Sequence, residues 1–399
     1  MSDRHEEQSH GAPNQRATRA GVVTVATLLV ALWLPFVAQW FLPVPKLSST
    51  EKRFRAPWPV LEATRESLVT WPSRAEAWYD DHLGFRDWLI GAWANLNIRL
   101  FGVSPIELTV VGRDGWLFLG DRDAIAHYRG LDPLSPQELE VWRRVTVERR
   151  DWLAERGIAY LLVLVPDKHL VYREHMPDSL PRSGESHPLE QLSSHLQATT
   201  DVDVLDLRPA LLAAKARGRV YHKTDSHWND VGAWEAYRAI HERLQRMLPA
   251  LADVPAAATD PGRRVEPGLG LANAIAMADA YPEEILEARL VAPRATLRPD
   301  RAPEKRGIAK TLRPIRYEHP DRSRPRAVMF RDSFANALIP YLAEDFSRVA
   351  FVWDRDLDPE LVLRERPDVV IQEIVGRFLG RRPKGIDEVR ARSSRLRDR

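Results

Sequence analysis

The chain has 399 residues, with 58 lysines and arginines against 56 aspartates and glutamates, and no cysteine. That length holds one large domain or two with appendages, and fractions of 44% hydrophobic and 29% charged residues are globular values, which excludes wholesale disorder. The absence of cysteine excludes thiol nucleophiles, thiolate zinc sites, iron–sulfur clusters and disulfides, and the near-balanced charge argues against a nucleic-acid partner.

A mean hydropathy of −0.37 conceals one segment. No charged residue falls between Arg19 and Lys46. As a helix, Gly21–Phe41 spans roughly 30 Å, one hydrocarbon thickness. Trp33, Trp40 and Phe41 sit in its distal half, and Pro35 is tolerated in a spanning helix. Residues 1–19 then read as a short tail and 20–43 as one transmembrane signal-anchor helix. A cleaved signal peptide is the rival reading, but Gln39-Trp40-Phe41-Leu42-Pro43 is a poor cleavage site. Arg16 and Arg19 before the span are matched by Lys46, Lys52, Arg53 and Arg55 after it, so local charge does not set its orientation.

Residues 44–108 read as a juxtamembrane helical region. Helices around Ser73–Asp81 and Arg86–Leu100 carry Trp78, Trp88 and Trp93 at apolar positions, expected to pack on the domain that follows. Thr109–Phe118 reads as a hairpin turning at Gly112-Arg113-Asp114-Gly115. Ser135-Pro136-Gln137-Glu138 has an N-cap, a proline at N1 and a glutamate at N3, so it opens a helix that ends at Gly157. Apolar runs follow at Ile158–Val165, Val202–Leu207, Ala327–Phe330, Val349–Val352 and Asp368–Gln372, with helical segments between them, one over Pro188–Thr199. Strands alternating with helices predict an α/β fold around a mostly parallel sheet over 109–380. Residues 252–326, rich in Pro, Arg and Ala, read as an irregular insertion, and 381–399 as a charged, disordered tail.

Two places can carry chemistry. Phe330-Arg331-Asp332-Ser333-Phe334 lies at the carboxyl end of a strand, where ligands of such sheets bind. A serine on that turn exposes its hydroxyl beside the N–H groups of a starting helix, or Asp332 and Ser333 merely cap that helix. The second place is Tyr221-His222-Lys223-Thr224-Asp225-Ser226-His227-Trp228-Asn229. Asp225 can orient the His227 ring as a general base. The alternatives are a solvated polar loop, or a metal site built from His222, Asp225 and His227.

These residues carry a resemblance. Asp81–Arg86, Asp114–Phe118, Pro166-Asp167-Lys168, Tyr172-Arg173-Glu174, Lys223–Asn229 and Arg331–Phe334 together resemble the AlgX/AlgJ family of alginate O-acetyltransferases, whose catalytic domain is SGNH-hydrolase-like. The resemblance implies a three-layer sandwich and an acyl-serine mechanism, with Ser333 as nucleophile, His227 as base and then acid, and Asp225 orienting His227. Ordinary SGNH enzymes place the serine first; here it comes last, similar to the circularly permuted order of this family. Arg331 stands where a glycine precedes Asp-Ser in those enzymes. It either binds an anionic sugar, stabilises the oxyanion, or crosses to a surface carboxylate. Lys168, Tyr172 and Trp228 are candidates for lining the substrate site, and the side-chain half of an oxyanion hole has no candidate. The resemblance further implies an enzyme on the inner membrane with its catalytic domain in the periplasm. A membrane-bound O-acyltransferase would supply acetyl groups for a polysaccharide. No phosphate-cradling glycine loop is present, and no cofactor is expected. A polysaccharide acetyl esterase with the same triad, and a non-catalytic polysaccharide-binding subunit, are the alternative functions.

Overall fold

The computed structural model describes residues 15–42, 54–184, 186–298 and 314–397, and the chain divides into two compact units, residues 1–96 and 97–399. Residues 1–14 of the expected tail lie outside the described residues, as do 43–53, 299–313, 398 and 399.

In the first unit a helix runs from Gln15 to Ala38. Its Ala20–Ala38 stretch has a mean hydropathy of 2.2, is largely exposed until Ala38, and is long and apolar enough to cross a membrane. It stops before Phe41 because the chain turns back, with the Phe41 and Leu42 N–H groups both donating to the Ala38 carbonyl at 3.0 and 2.9 Å. The Pro35 carbonyl accepts from Gln39 at 3.2 Å and from Gly84 at 3.1 Å. Glycine is required at position 84, where a Cβ would stand 2.5 Å from that oxygen and 2.7 Å from the Ala38 Cβ. Trp58 and Trp78 pack edge to face at 4.6 Å, with Trp40 at 6.4 and 6.0 Å from them. Helices Arg65–His82 and Arg86–Phe101 follow, the first capped by Thr64. Trp88 and Trp93 were expected at packed positions and instead are 69% and 59% exposed. The second helix turns Ala94 inward, and its tryptophans lie on the opposite side.

The second unit starts from a hairpin, β1 (Thr109–Val111) and β2 (Leu117–Leu119), whose turn holds Asp114 and Gly115 at φ of 55° and 77°. The main strands are β3 (Ala159–Val165) and β4 (Asp203–Asp206). A side hairpin follows, β5 (Thr259–Glu266) with β6 (Glu283–Leu290). Then come β7 (Thr296–Arg298), β8 (Ile315–Glu318), β9 (Arg326–Phe330), β10 (Arg348–Val352) and β11 (Val369–Val375). The central sheet has the order β4-β3-β11-β9-β10-β8-β7, parallel from β4 to β10 and antiparallel over its last two strands. Period-2 alternation divides its side chains between two cores. Leu161, Val163 and Val165 of β3 join Ile371 and Met329 on one face, while Leu162 and Leu164 join Val370 and Phe330 on the other. Helices cover both faces, as expected of an α/β sandwich.

Three expectations need correction. The stretch 252–326 is not irregular throughout: it contains the β5–β6 hairpin and the strands β7 and β8 that extend the sheet. The tail is not disordered over Ile386–Arg397, which is helical with Ile386 and Val389 buried. The last strand runs beyond Gln372 because its polar residues are satisfied inside. Gln372 accepts from Tyr160 and, at 2.9 Å, from Arg149, and donates to the Arg355 carbonyl at 2.6 Å.

The Ser135 capping box is present, and the helix Pro188–Thr199 is capped by His187, whose Nδ1 accepts the Leu189 N–H at 3.1 Å. Burial pushes His187 down to about 3. It pushes His169, which donates Nε2–H to the Leu119 carbonyl, down to about 4. Both imidazoles stay neutral in the folded chain while the unfolded chain takes up protons from about pH 6.5. Stability present above pH 6.5 is therefore lost as the pH falls toward 4. Urea midpoints measured across that range should decline, and His187→Asn, which keeps a capping acceptor but cannot titrate, should flatten the decline.

Candidate active site

The 222–227 loop is pinched at its base. Tyr221 and Trp228 form an antiparallel bridge, and the His222 N–H donates to the His227 carbonyl at 3.2 Å. Asn229 then caps helix Asp230–Met247, accepting from Gly232 at 2.9 Å. Gly232 lies so close to the Val220 carbonyl that any Cβ would collide with it.

Two buried charges hold the loop from opposite sides. Lys168, just after β3, donates Nζ protons to the carbonyls of His222, Lys223 and Asp225 at 3.0, 3.1 and 2.6 Å. Burial pushes this lysine down to about 7. Glu283 of β6 accepts from Arg219, from the Thr224 N–H at 2.8 Å and from the Thr224 hydroxyl at 2.6 Å. Burial alone would raise its pKa, but the nearby His222 and the hydrogen bonds from Thr224 and Arg219 outweigh that and hold it at about 2.

Asp225 and His227 project from this frame. Asp225 Oδ1 accepts from the His227 N–H at 3.0 Å and from Nδ1 at 2.6 Å, while Oδ2 accepts from the Gly270 N–H at 3.0 Å. Burial opposes ionisation of Asp225, yet the His227 hydrogen bond and charge hold it well below the usual carboxylate range. With Nδ1 turned to Asp225, Nε2 of His227 faces the Ser333 hydroxyl at 2.8 Å. That arrangement can take the serine proton and return it.

Ser333 stands on the turn after β9. The buried Asp332 carboxylate organises that turn, accepting from the Phe334 N–H and, across the sheet, from the Val375 N–H, both at 3.0 Å. The Asp332 N–H donates to Glu373 at 2.9 Å. Burial, and then the Asp332 charge, push Glu373 well above the carboxylate range. Trp228 Nε1–H donates to the Phe334 carbonyl at 3.1 Å, tying the loop to the turn. Among the described residues the Ser333 N–H has no acceptor, which leaves it available to an oxyanion.

The structure therefore brings Asp225, His227 and Ser333 together, while the other candidates are buried. Lys168 and Trp228 are buried with their polar atoms on backbone carbonyls, and Tyr172 is buried with its hydroxyl accepting the Val220 N–H at 2.9 Å. They position the loop rather than line a cleft. Arg331 is buried too. It donates to the Asp332 carbonyl and to Asn336 at 3.1 and 2.6 Å, with its guanidinium 4.5 Å from the Trp353 ring centre. His222 turns toward Glu283 at 3.8 Å while His227 turns toward Ser333, so His222, Asp225 and His227 do not converge. Glu283, Gly270 and Glu373 escaped the sequence analysis. The one local signal was the placement of Glu283 two residues before Ile285, on the inward face of β6.

Residues 109–307 match the family described as the SGNH hydrolase-like domain of the acetyltransferase AlgX. The stretch includes Asp225 and His227 and ends before Ser333. A probable alginate O-acetylase AlgJ of Pseudomonas putida is 32% identical over 189 residues, 47% of each chain. One of Pseudomonas syringae pv. tomato is 29% identical over 180 residues, 45% of this chain and 44% of its own. The chain thus spans about half the length of the curated relatives it matches. Among solved structures, the O-acetyltransferase domain of Pseudomonas putida AlgJ aligns with a TM-score of 0.45 at 22% identity, covering 69% of this chain and 93% of that one. Bacillus cereus PatB1 aligns with a TM-score of 0.48 at 16% identity, covering 67% and 95%. Over residues 109–307 the chain is thus similar to the SGNH hydrolase-like domain of the acetyltransferase AlgX.

Proposed function

We propose that the chain is a polysaccharide O-acetyltransferase that works through an acetyl-serine. The observation that carries this reading is the hydrogen-bonded line from Asp225 through His227 to Ser333, at 2.6 and 2.8 Å. His227 Nε2 takes the proton from Ser333 as Oγ attacks the carbonyl carbon of an acetyl ester. The tetrahedral oxyanion takes a hydrogen bond from the Ser333 N–H. Its collapse expels the donor alcohol with the proton from His227, leaving acetyl on Ser333. A sugar hydroxyl then gives its proton to His227 and attacks that ester, and the serine leaves with the proton restored. Asp225 holds the Nδ1–H tautomer throughout and stabilises the imidazolium.

In this reading the helix Gln15–Ala38 anchors the chain in the inner membrane, the second unit works in the periplasm, and a membrane-bound O-acyltransferase supplies the acetyl groups. An acidic polymer fits as acceptor. Arg355 and Arg381 lie 4.0 and 4.9 Å from the Phe378 ring centre, and neither forms an ion pair with a described residue. Arg377 lies 5.2 Å from both Phe378 and Phe334, so this patch borders the Ser333 turn. Trp353, exposed and with the Arg331 guanidinium over its ring, is a further surface near the Ser333 turn for a sugar to meet.

Ser333→Ala should lower acetyl transfer from an aryl acetate to oligosaccharide by at least about 10³-fold, and Asp225→Asn by a similar factor, read by mass of the acetylated sugar. Equal turnover by wild type and Ser333→Ala would refute the serine mechanism. Acetate released at the same rate with and without oligosaccharide, with no acetylated sugar formed, would instead identify an esterase.

The double variant Arg355→Gln/Arg381→Gln should raise KM for an acidic oligosaccharide about tenfold, the loss of two partly exposed charge contacts, and leave KM for a neutral one in place. Initial rates at low and high salt check this, because the difference should shrink as salt screens the charges.

A further inference from the structure

The first unit carries an exposed surface that acetyl transfer does not use. Phe85, Trp88, Leu89, Ala92, Trp93 and Leu96 are all exposed, while Ala94 is buried. Within helix Arg86–Phe101, Trp88, Leu89, Ala92, Trp93 and Leu96 recur at i, i+1, i+4, i+5 and i+8 and so lie along one face, while Phe85 precedes the helix at a φ of 62°. Of the charges at that end, Asp87 is engaged by Arg55 at 2.8 Å and does not interrupt the stripe. A contiguous apolar face with two outward tryptophans is rarely left to water.

Where this helix begins identifies what covers it. The residue two before it, Gly84, is hydrogen-bonded to the Pro35 carbonyl and pressed against Ala38, in the last turn of the apolar helix. Trp40 and Phe41, which follow buried Gln39 after that helix, are themselves exposed, and Trp40 packs with Trp58 and Trp78. If Ala20–Ala38 spans a bilayer, this level is the boundary between acyl chains and headgroups, where tryptophans concentrate. A helix with one apolar face lies stably there, in the plane of the membrane.

We propose that helix Arg86–Phe101 is an interfacial helix whose Trp88–Leu89–Ala92–Trp93–Leu96 stripe sits in the lipid surface, giving the chain a second membrane contact beside its span. The continuity of the stripe with the exposed, lipid-suited end of the span favours lipid over a protein partner. The inference rests on the reading of Ala20–Ala38 as a membrane span.

The absence of cysteine makes the test direct, since any introduced thiol is the only one. Full-length chains carrying Ala92→Cys, Leu28→Cys or Glu242→Cys are nitroxide-labelled in phosphatidylcholine/phosphatidylglycerol vesicles. Collision with oxygen, which concentrates in lipid, is compared with collision with a water-soluble nickel chelate. The label at Ala92 should show an oxygen-to-chelate ratio several-fold above that at Glu242, approaching that at Leu28. A ratio at Ala92 equal to that at Glu242, with Leu28 in lipid, overturns the interfacial helix and leaves the span standing. A label at Ala92 shielded from both reagents also overturns it, pointing to a protein partner such as a second copy. Chelate access at Leu28 removes the span reading, and the interfacial helix falls with it.

Discussion

One buried cation determines the shape of the candidate site. The Lys168 ammonium has three protons, and its three hydrogen bonds go to backbone carbonyls of a single loop. Burying it costs several kcal/mol, and three charge-assisted hydrogen bonds of about 1.5–3 kcal/mol each offset that cost. The balance shows in the lysine itself: burial pushes it down to about 7, while Asp225 and Glu283 pull it back toward the charged form. With carbonyls fixed on one side by Lys168 and N–H groups on the other by Glu283, the loop has little freedom left. Asp225 and His227 inherit that rigidity.

The second half of the site follows from strand pairing. β3 and β11 pair over seven residues, from Ala159 with Val369 to Val165 with Val375, and β9 pairs with the other side of β11. Lys168 and Pro166 follow β3, and they hold the base loop, the latter by accepting the Tyr221 hydroxyl at 2.6 Å. Asp332 follows β9 and is bound to Val375, the last residue of β11. The 2.8 Å approach of His227 to Ser333 is therefore set by backbone register, with Lys168 and Asp332 as connectors. A slip of one residue between these strands would turn their side chains to the opposite faces. The upward push on Glu373 suits this arrangement, since the residue accepts the Asp332 N–H while lying beside that second buried carboxylate.

The elements legible in the sequence are those whose signals are local. Apolar runs marked the five parallel strands, and the Ser135 box and Pro188 marked helix starts, because propensity and burial agree there. Asp225, His227 and Ser333 were legible as chemistry, since few other residues combine a strand-end hydroxyl with an Asp-x-His loop. What stayed hidden depends on distant partners. β11 looked finished at Gln372 because nothing local indicates that Tyr160, Arg149 and Asp332 satisfy its polar residues. Lys168, Tyr172 and Trp228 were located near the site, but not the backbone partners that hold their polar atoms. A lysine, a tyrosine and a tryptophan suit a sugar cleft as well as they suit backbone carbonyls, and only burial separates the two. The β5–β6 hairpin was masked by Pro261 and Gly262 on one strand and by inward-facing glutamates on the other.

Net charge conveys less about recognition than its distribution does. With 58 basic and 56 acidic side chains the molecule has little overall field. Its arginines are largely neutralised where they meet carboxylates, as Arg219 does at Glu283, Arg377 at Asp167 and Arg316 and Arg348 at Glu365. Neutralisation at these places makes the exceptions informative. Arg355 and Arg381 keep their charge around Phe378, on the edge that carries the Ser333 turn. A guanidinium over a ring face is held in position without being discharged, since the attraction is to the quadrupole and its N–H donors stay free. A nearly neutral chain can thus present a fixed, locally positive surface beside its candidate nucleophile. Against a polymer of repeated carboxylates, such a surface raises the local concentration of acceptor hydroxyls. Under the proposed function, that bias would favour transfer to a sugar over loss of the acetyl group to water.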